Sequence, residues 1–167
     1  MHRLWTGDEN LNEKTKKIRA YAISIAGALA VGGAAALVNA GRMENESLIQ
    51  PPLSPPAWLF PIVWSILFLL MGVSAARVWL SGAPERSDAL FLYCTQLVVN
   101  FLWTVFFFRF GALLLSFFWL IFLILLVVLM LVRFEKCAPG AGKLQIPYTL
   151  WLLFAAYLNF AVCILNC

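Results

Sequence analysis

The chain has 167 residues, 63% of them hydrophobic and 12% charged, with a mean hydropathy of +0.88 and a formal net charge of +4. That balance is far from an ordinary soluble domain, and the apolar stretches leave no length for one beside them. The positive charge does not argue for nucleic-acid binding, because it follows from where the cations sit between apolar stretches.

A hydrocarbon core about 30 Å thick needs about 20 apolar residues per helix. Five segments meet that length: 18–40, 58–80, 89–108, 112–133 and 144–166. The expected fold class is all-α, an integral membrane bundle of five transmembrane helices. Residues 1–17 form a polar N-terminal tail and 18–167 the membrane domain. With five spans, Arg3, Lys14, Lys16, Lys17, Arg19, Arg77, Arg86, Arg133, Lys136 and Lys143 fall on one side, and only Arg42 and Arg109 on the other. The positive-inside rule then predicts a multi-pass protein of the cell membrane with a cytoplasmic N-terminus and an outer C-terminus.

The tail mixes charges of both signs and is expected to be loosely ordered, or to form a short interfacial helix. The apolar stretch after it is too long for a signal-peptide core, so it reads as an uncleaved first span. His2 reads as solvated. In the first span Ser24, Ala28, Gly32, Ala36 and Ala40 recur every four residues. Small residues so spaced let helix backbones approach closely in lipid. The partner is either a helix of the same chain or a second copy, and a homodimer stays open.

Residues 41–54 carry Arg42, Glu44 and Glu46, then prolines, and read as a lid or as a passive connector. The run PPLSPPAWLFPIVW (51–64) holds five of the eight prolines and two of the seven tryptophans. Pro51, Pro52, Pro55 and Pro56 enforce an extended approach. Pro61 falls in the first turns of the next helix, where a missing N–H costs little. Trp58 fits either a ligand wall or an interfacial belt.

Phe60, Trp64, Phe68 and Met71 share one face of the second span, with Ser65 adjacent. In the third, Tyr93, Gln96, Asn100, Trp103 and Phe107 form one stripe. Lipid offers the two amides no partner, so they must face the interior, bonded to neighbouring helices or to a ligand. The fourth span lacks polar landmarks and reads as lipid-facing scaffold, with Trp119 a packing residue. The loop EKCAPGAGK reads as a flexible turn. Tyr148, Trp151, Ala155 and Asn159 share a face of the last span.

None of the eight acidic residues lies inside a predicted span, which argues against a proton-coupled antiporter. Cys94, Cys137, Cys163 and Cys167 show no metal-ligand spacing and read as structural. Without a Ser-His-Asp set, a phosphate loop or a metal cluster, hydrolytic or redox catalysis of a conventional kind is not expected. What remains is a set of flat apolar walls, Trp58, Trp64, Tyr93, Trp103, Tyr148 and Trp151, with Ser65, Gln96, Asn100 and Asn159 as sparse polar contacts. Such a lining suits a planar hydrophobic molecule.

The residues Pro55, Pro56, Trp58, Phe60, Pro61, Val63, Trp64, Phe68, Met71 and Gly72 resemble the signature of the TspO/MBR family. This is the family of tryptophan-rich sensory proteins related to the mitochondrial translocator protein. LYCTQLVVNFLW (92–103) and PYTLWLLFAAYLN (147–159) extend the resemblance, which covers residue 18 to the C-terminus. It implies a five-helix bundle, commonly dimeric, that binds protoporphyrin IX, haem and synthetic aromatic ligands below the first loop. The implied role is stress sensing or tetrapyrrole handling. The alternatives are a light- and oxygen-dependent porphyrin-degrading enzyme, or a small-molecule transporter.

Trp64 and Trp151 match the family's pocket tryptophans, which some bacterial members tie to porphyrin breakdown. They are therefore the candidate catalytic residues, and Ala155 matches a helix-contact position where size matters. The porphyrin or haem is implied as ligand, with no further cofactor. Two departures stand out. No Lys or Arg follows Tyr157 as the cholesterol-recognition pattern of animal relatives requires, and Gln50 replaces a Lys often found before the prolines.

Overall fold

Runs of Leu, Ile, Val and Phe this long cannot leave backbone amides unpaired in lipid, so they close their hydrogen bonds within helices. The computed structural model describes residues 2–41 and 48–166, with side chains from 11 onward. Its elements are α1 (His2–Val38), α2 (Leu59–Leu80), α3 (Arg86–Thr104), α4 (Leu113–Cys137) and α5 (Ile146–Asn166). A π-helical turn, Val105–Arg109, extends α3, and a 3₁₀ turn, Lys143–Gln145, leads into α5. All five helices are long and apolar enough to cross a membrane. The protein is a multi-pass, all-α membrane bundle. Arg42, Glu44, Glu46 and Cys167 lie outside the described residues, as do the side chains of His2 and Arg3.

The tail expected to be loosely ordered is instead the first part of α1, which runs unbroken through Lys17 into the apolar stretch. A Lys16–Glu13 ion pair at 3.7 Å, one turn apart, favours helix there.

The small-residue ridge packs within the chain. Gly32 lies against the Phe68 ring, and Gly72 of α2 lies against the backbone of Ile25. Ala28 is buried, but Ala36 and Ala40 are exposed, contrary to the expectation of one continuous ridge. Four residues turn a helix by 400°, so a strict period of four drifts off the contact face. The buried line moves instead to Asn39, whose Nδ2 donates to Thr104 Oγ1 at 3.0 Å and ties α1 to α3.

The fourth span is open over most of its surface, as expected of a lipid-facing scaffold, but it also has a core face. Ser116, Leu120, Leu123, Val127, Met130 and Phe134 form a fully buried stripe down α4, and only its other faces are open. Trp119 does more than pack, since its Nε1 donates to Val99 O at 2.8 Å, joining α4 to α3.

Both the α4–α5 loop and the described part of the first loop are fastened. Ser74 Oγ donates to Ala141 O at 2.7 Å, Arg77 to Pro139 O at 2.9 Å, and the Gly140 amide to Glu135 Oε1 at 2.9 Å. The flexible turn expected there is a pinned one. At the opposite end, Asn166 exchanges hydrogen bonds with the Ile49 backbone, and Tyr157 Oη donates to Pro52 O at 3.2 Å.

Candidate functional site

The aromatic stripes of α2, α3 and α5 meet around Trp64. Its ring lies 5.5 Å from Phe68, 6.5 Å from Trp103 and 6.2 Å, edge-on, from Tyr148. These are spacings of aromatic side chains in contact. Trp103 continues the wall by stacking on Phe107 at 5.8 Å. Phe60 and Trp151 form a separate edge-to-face pair between α2 and α5 at 5.9 Å. Trp64 is half-buried, whereas Phe68, Trp103 and Tyr148 are buried.

The polar residues sort into two kinds. Gln96 is wholly enclosed; its Oε1 accepts from Tyr148 Oη at 3.0 Å, and its Nε2 points at Met71 Sδ at 3.9 Å. It therefore bonds α3 to its neighbours. Asn159 does the same from α5. Amide orientation is assigned from partners. The orientation that satisfies both ends donates to Leu113 O at 3.0 Å and accepts from Ser116 Oγ at 3.0 Å and Trp103 Nε1 at 3.3 Å. By contrast, buried Asn100 Oδ1 and Tyr93 Oη have no hydrogen-bond partner. Tyr93 packs its ring on Phe134 at 6.0 Å. An unmade bond inside an apolar bundle costs about 1–3 kcal/mol, and on the α3 stripe these two atoms carry that cost.

Trp151 stands at the edge. With Val63, Ile66, Leu67, Pro147, Leu150 and Phe154 it lines an apolar groove of about 530 Å³ between α2 and α5. Ala155 is buried one turn further along α5.

Two expected site residues do not join the cluster. Trp58 is 65% exposed at the start of α2, where its ring suits the membrane interface. Ser65 is exposed because it sits one position off the Trp64 face, and its hydroxyl donates to Pro61 O at 2.7 Å. Ser116 was missed. The signal for it is a lone hydroxyl in an otherwise apolar run.

Residues 20–165 match the TspO/MBR family. The chain is 34% identical over 155 residues to the tryptophan-rich protein TspO of Chlorobaculum tepidum, covering 90% of this chain and 98% of that protein. It is 36% identical over 143 residues to protein CrtK of Rhodobacter capsulatus, covering 83% and 88%. It is also 32% identical over 117 residues to the translocator protein of Ovis aries, covering 68% and 69%. With five apolar spans and three aromatic stripes that converge on α2, the chain belongs to the TspO/MBR family.

Proposed function

We propose that the protein binds planar tetrapyrroles, such as protoporphyrin IX or haem, against the Trp64 cluster, and acts in stress sensing or tetrapyrrole handling. The observation that carries this reading is the convergence of Trp64, Trp103 and Tyr148, with Asn100, whose buried Oδ1 has no partner, about one turn before Trp103 on α3. Aromatic faces recognise a macrocycle by offset stacking, and a few polar atoms set its orientation. The rings now touch one another, so a ligand enters by parting them. The groove beside Trp151 gives it a route from the bilayer, and its volume lies in the range of small-molecule pockets.

Titrating purified protein with protoporphyrin IX tests the proposal. Stacking adds about 0.5–1.5 kcal/mol beyond area burial. Trp64→Phe and Trp151→Phe are therefore expected to weaken binding by up to about tenfold. Trp119→Phe loses its bond to Val99 and some stability but keeps full affinity. Equal weakening by Trp119→Phe would put the pocket elsewhere. Light-driven porphyrin loss that disappears while binding survives in the two pocket variants would favour the degrading enzyme, because an indole donates electrons where a phenyl ring does not. Saturable binding with neither consumption nor vesicle uptake leaves the sensor.

The proposed orientation has the N-terminus in the cytoplasm, because ten of the twelve cations share that side. In intact cells, Lys14→Cys is expected to resist an impermeant thiol reagent that labels Glu44→Cys, in a background lacking the native cysteines. The reverse pattern inverts the protein.

A further inference from the structure

A second cavity, of about 520 Å³, opens at the cation-rich end of the bundle, away from the aromatic cluster. Lys17 and Tyr21 line it from α1, Arg77, Leu80 and Ser81 from the end of α2, and Cys137, Ala138 and Pro139 from the end of α4 and the loop beyond. We propose that this groove seats the phosphate of an anionic phospholipid, with its glycerol end against Tyr21 and Leu80.

Charge, position and preorganisation all favour that occupant. Arg77 and Lys17 line the groove from two helices, and a guanidinium and an ammonium both suit a phosphate. Arg offers a planar fork of five donors, Lys a point charge. Arg77 is half-buried and held by its bond to Pro139 O, which takes one of its donors. Gly140 of the same loop lies within about 3.5 Å of the guanidinium, measured from where a side chain would begin. Glu135, whose Oε1 accepts from the Gly140 amide, is not among the residues that line the groove. Ser81 Oγ, which donates to Val78 O at 2.7 Å and accepts from the Ala83 amide at 3.2 Å, serves the backbone.

The groove also lies where α2 and α4 end, at the level of lipid headgroups for helices that span the bilayer. A free phosphate in water would use the two cations but not Leu80, the Tyr21 ring or the open apolar side of α1, where Ile18 and Ile23 are exposed. Basic pockets between transmembrane helices on the cation-rich face are a known way of holding acidic headgroups.

Native mass spectrometry of the full chain in a phosphatidylcholine-like detergent, with phosphatidylglycerol titrated in, tests this directly. One phosphatidylglycerol is expected to be retained in preference to phosphatidylcholine. Each basic side chain near the surface contributes an attraction equivalent to about fivefold in affinity. Lys17→Gln should therefore cut retention about fivefold, and Arg77→Gln at least as much. Lys136→Gln, on the same side but outside the groove, should leave it unchanged. Lys17 is exposed and makes no structural tie to the loop, so its variant keeps the test meaningful if Arg77→Gln loosens the loop. Equal retention of the two lipids, or an effect of Lys136→Gln equal to that of Lys17→Gln, overturns the site. Displacement of phosphatidylglycerol by millimolar inorganic phosphate assigns the groove to a free anion instead and overturns the lipid.

Discussion

Gly72→Ala is expected to destabilise the bundle by about 1–3 kcal/mol, the usual cost of forcing extra volume into a packed interior. A Cβ built on Gly72 meets Ile25 Cα at 2.5 Å and Ile25 N at 2.9 Å. Those are backbone atoms of α1, so relief requires the two helices to separate. Small residues allow this approach, and close packing is what holds helices together where lipid is as apolar as the core. Gly32 differs in kind, because its methyl would meet the Phe68 ring, a side chain that can turn aside. Gly32→Ala should therefore cost less than Gly72→Ala, while Gly32→Leu should disrupt the contact as well. Gly33 has nothing within 4 Å of its added carbon. Gly33→Ala is expected to be neutral or to stabilise by up to about 1 kcal/mol, through the better helix propensity of alanine. Thermal unfolding of the three alanine variants in one detergent checks the order. A Gly72→Ala protein as stable as the wild type would show that α1 does not pack on α2 at this height.

Gln96→Leu is expected to lower stability by about 1–3 kcal/mol, because it strands the Tyr148 hydroxyl inside the bundle. Gln96 is 0% and Tyr148 1% exposed, so water cannot replace the lost partner. Tyr148→Phe should cost somewhat less, leaving an amide oxygen unpaired beside the weak Met71 contact. The double variant removes both ends of the 3.0 Å bond and should recover part of the sum. The coupling in such a cycle inside membrane proteins averages about 0.6 kcal/mol and reaches about 1.7. Strict additivity would show that the bond contributes nothing. Asn100→Leu gives the contrast. Its Oδ1 has no partner to strand, so stability should hold or rise while porphyrin affinity falls. Of the two amides of α3, Gln96 bonds neighbouring helices, and this contrast tests the proposed ligand role of Asn100.

The sequence by itself determined the five spans, because each needs only about 20 apolar residues, and composition meets that without any neighbour. It also determined the stripes of α3 and α5, because Gln96, Asn100 and Asn159 carry amides that must turn inward in lipid and so mark their own face. Tertiary structure decided the remainder. A helix of Leu, Ile, Val and Phe carries little contrast between lipid and core, so only Ser116 and Trp119, with its bond to Val99 O, hint at which side of α4 meets its neighbours. Rotation there is set by the neighbours it packs against. The same holds for the α1 ridge, where the turn per residue carried the contact from Ala36 to Asn39. The pinned α4–α5 loop and the groove at Lys17 and Arg77 depend on atoms more than 60 residues apart, from Ser74 to Ala141 and from Arg77 to Pro139. No local pattern encodes those meetings, because they exist only once the helices have packed.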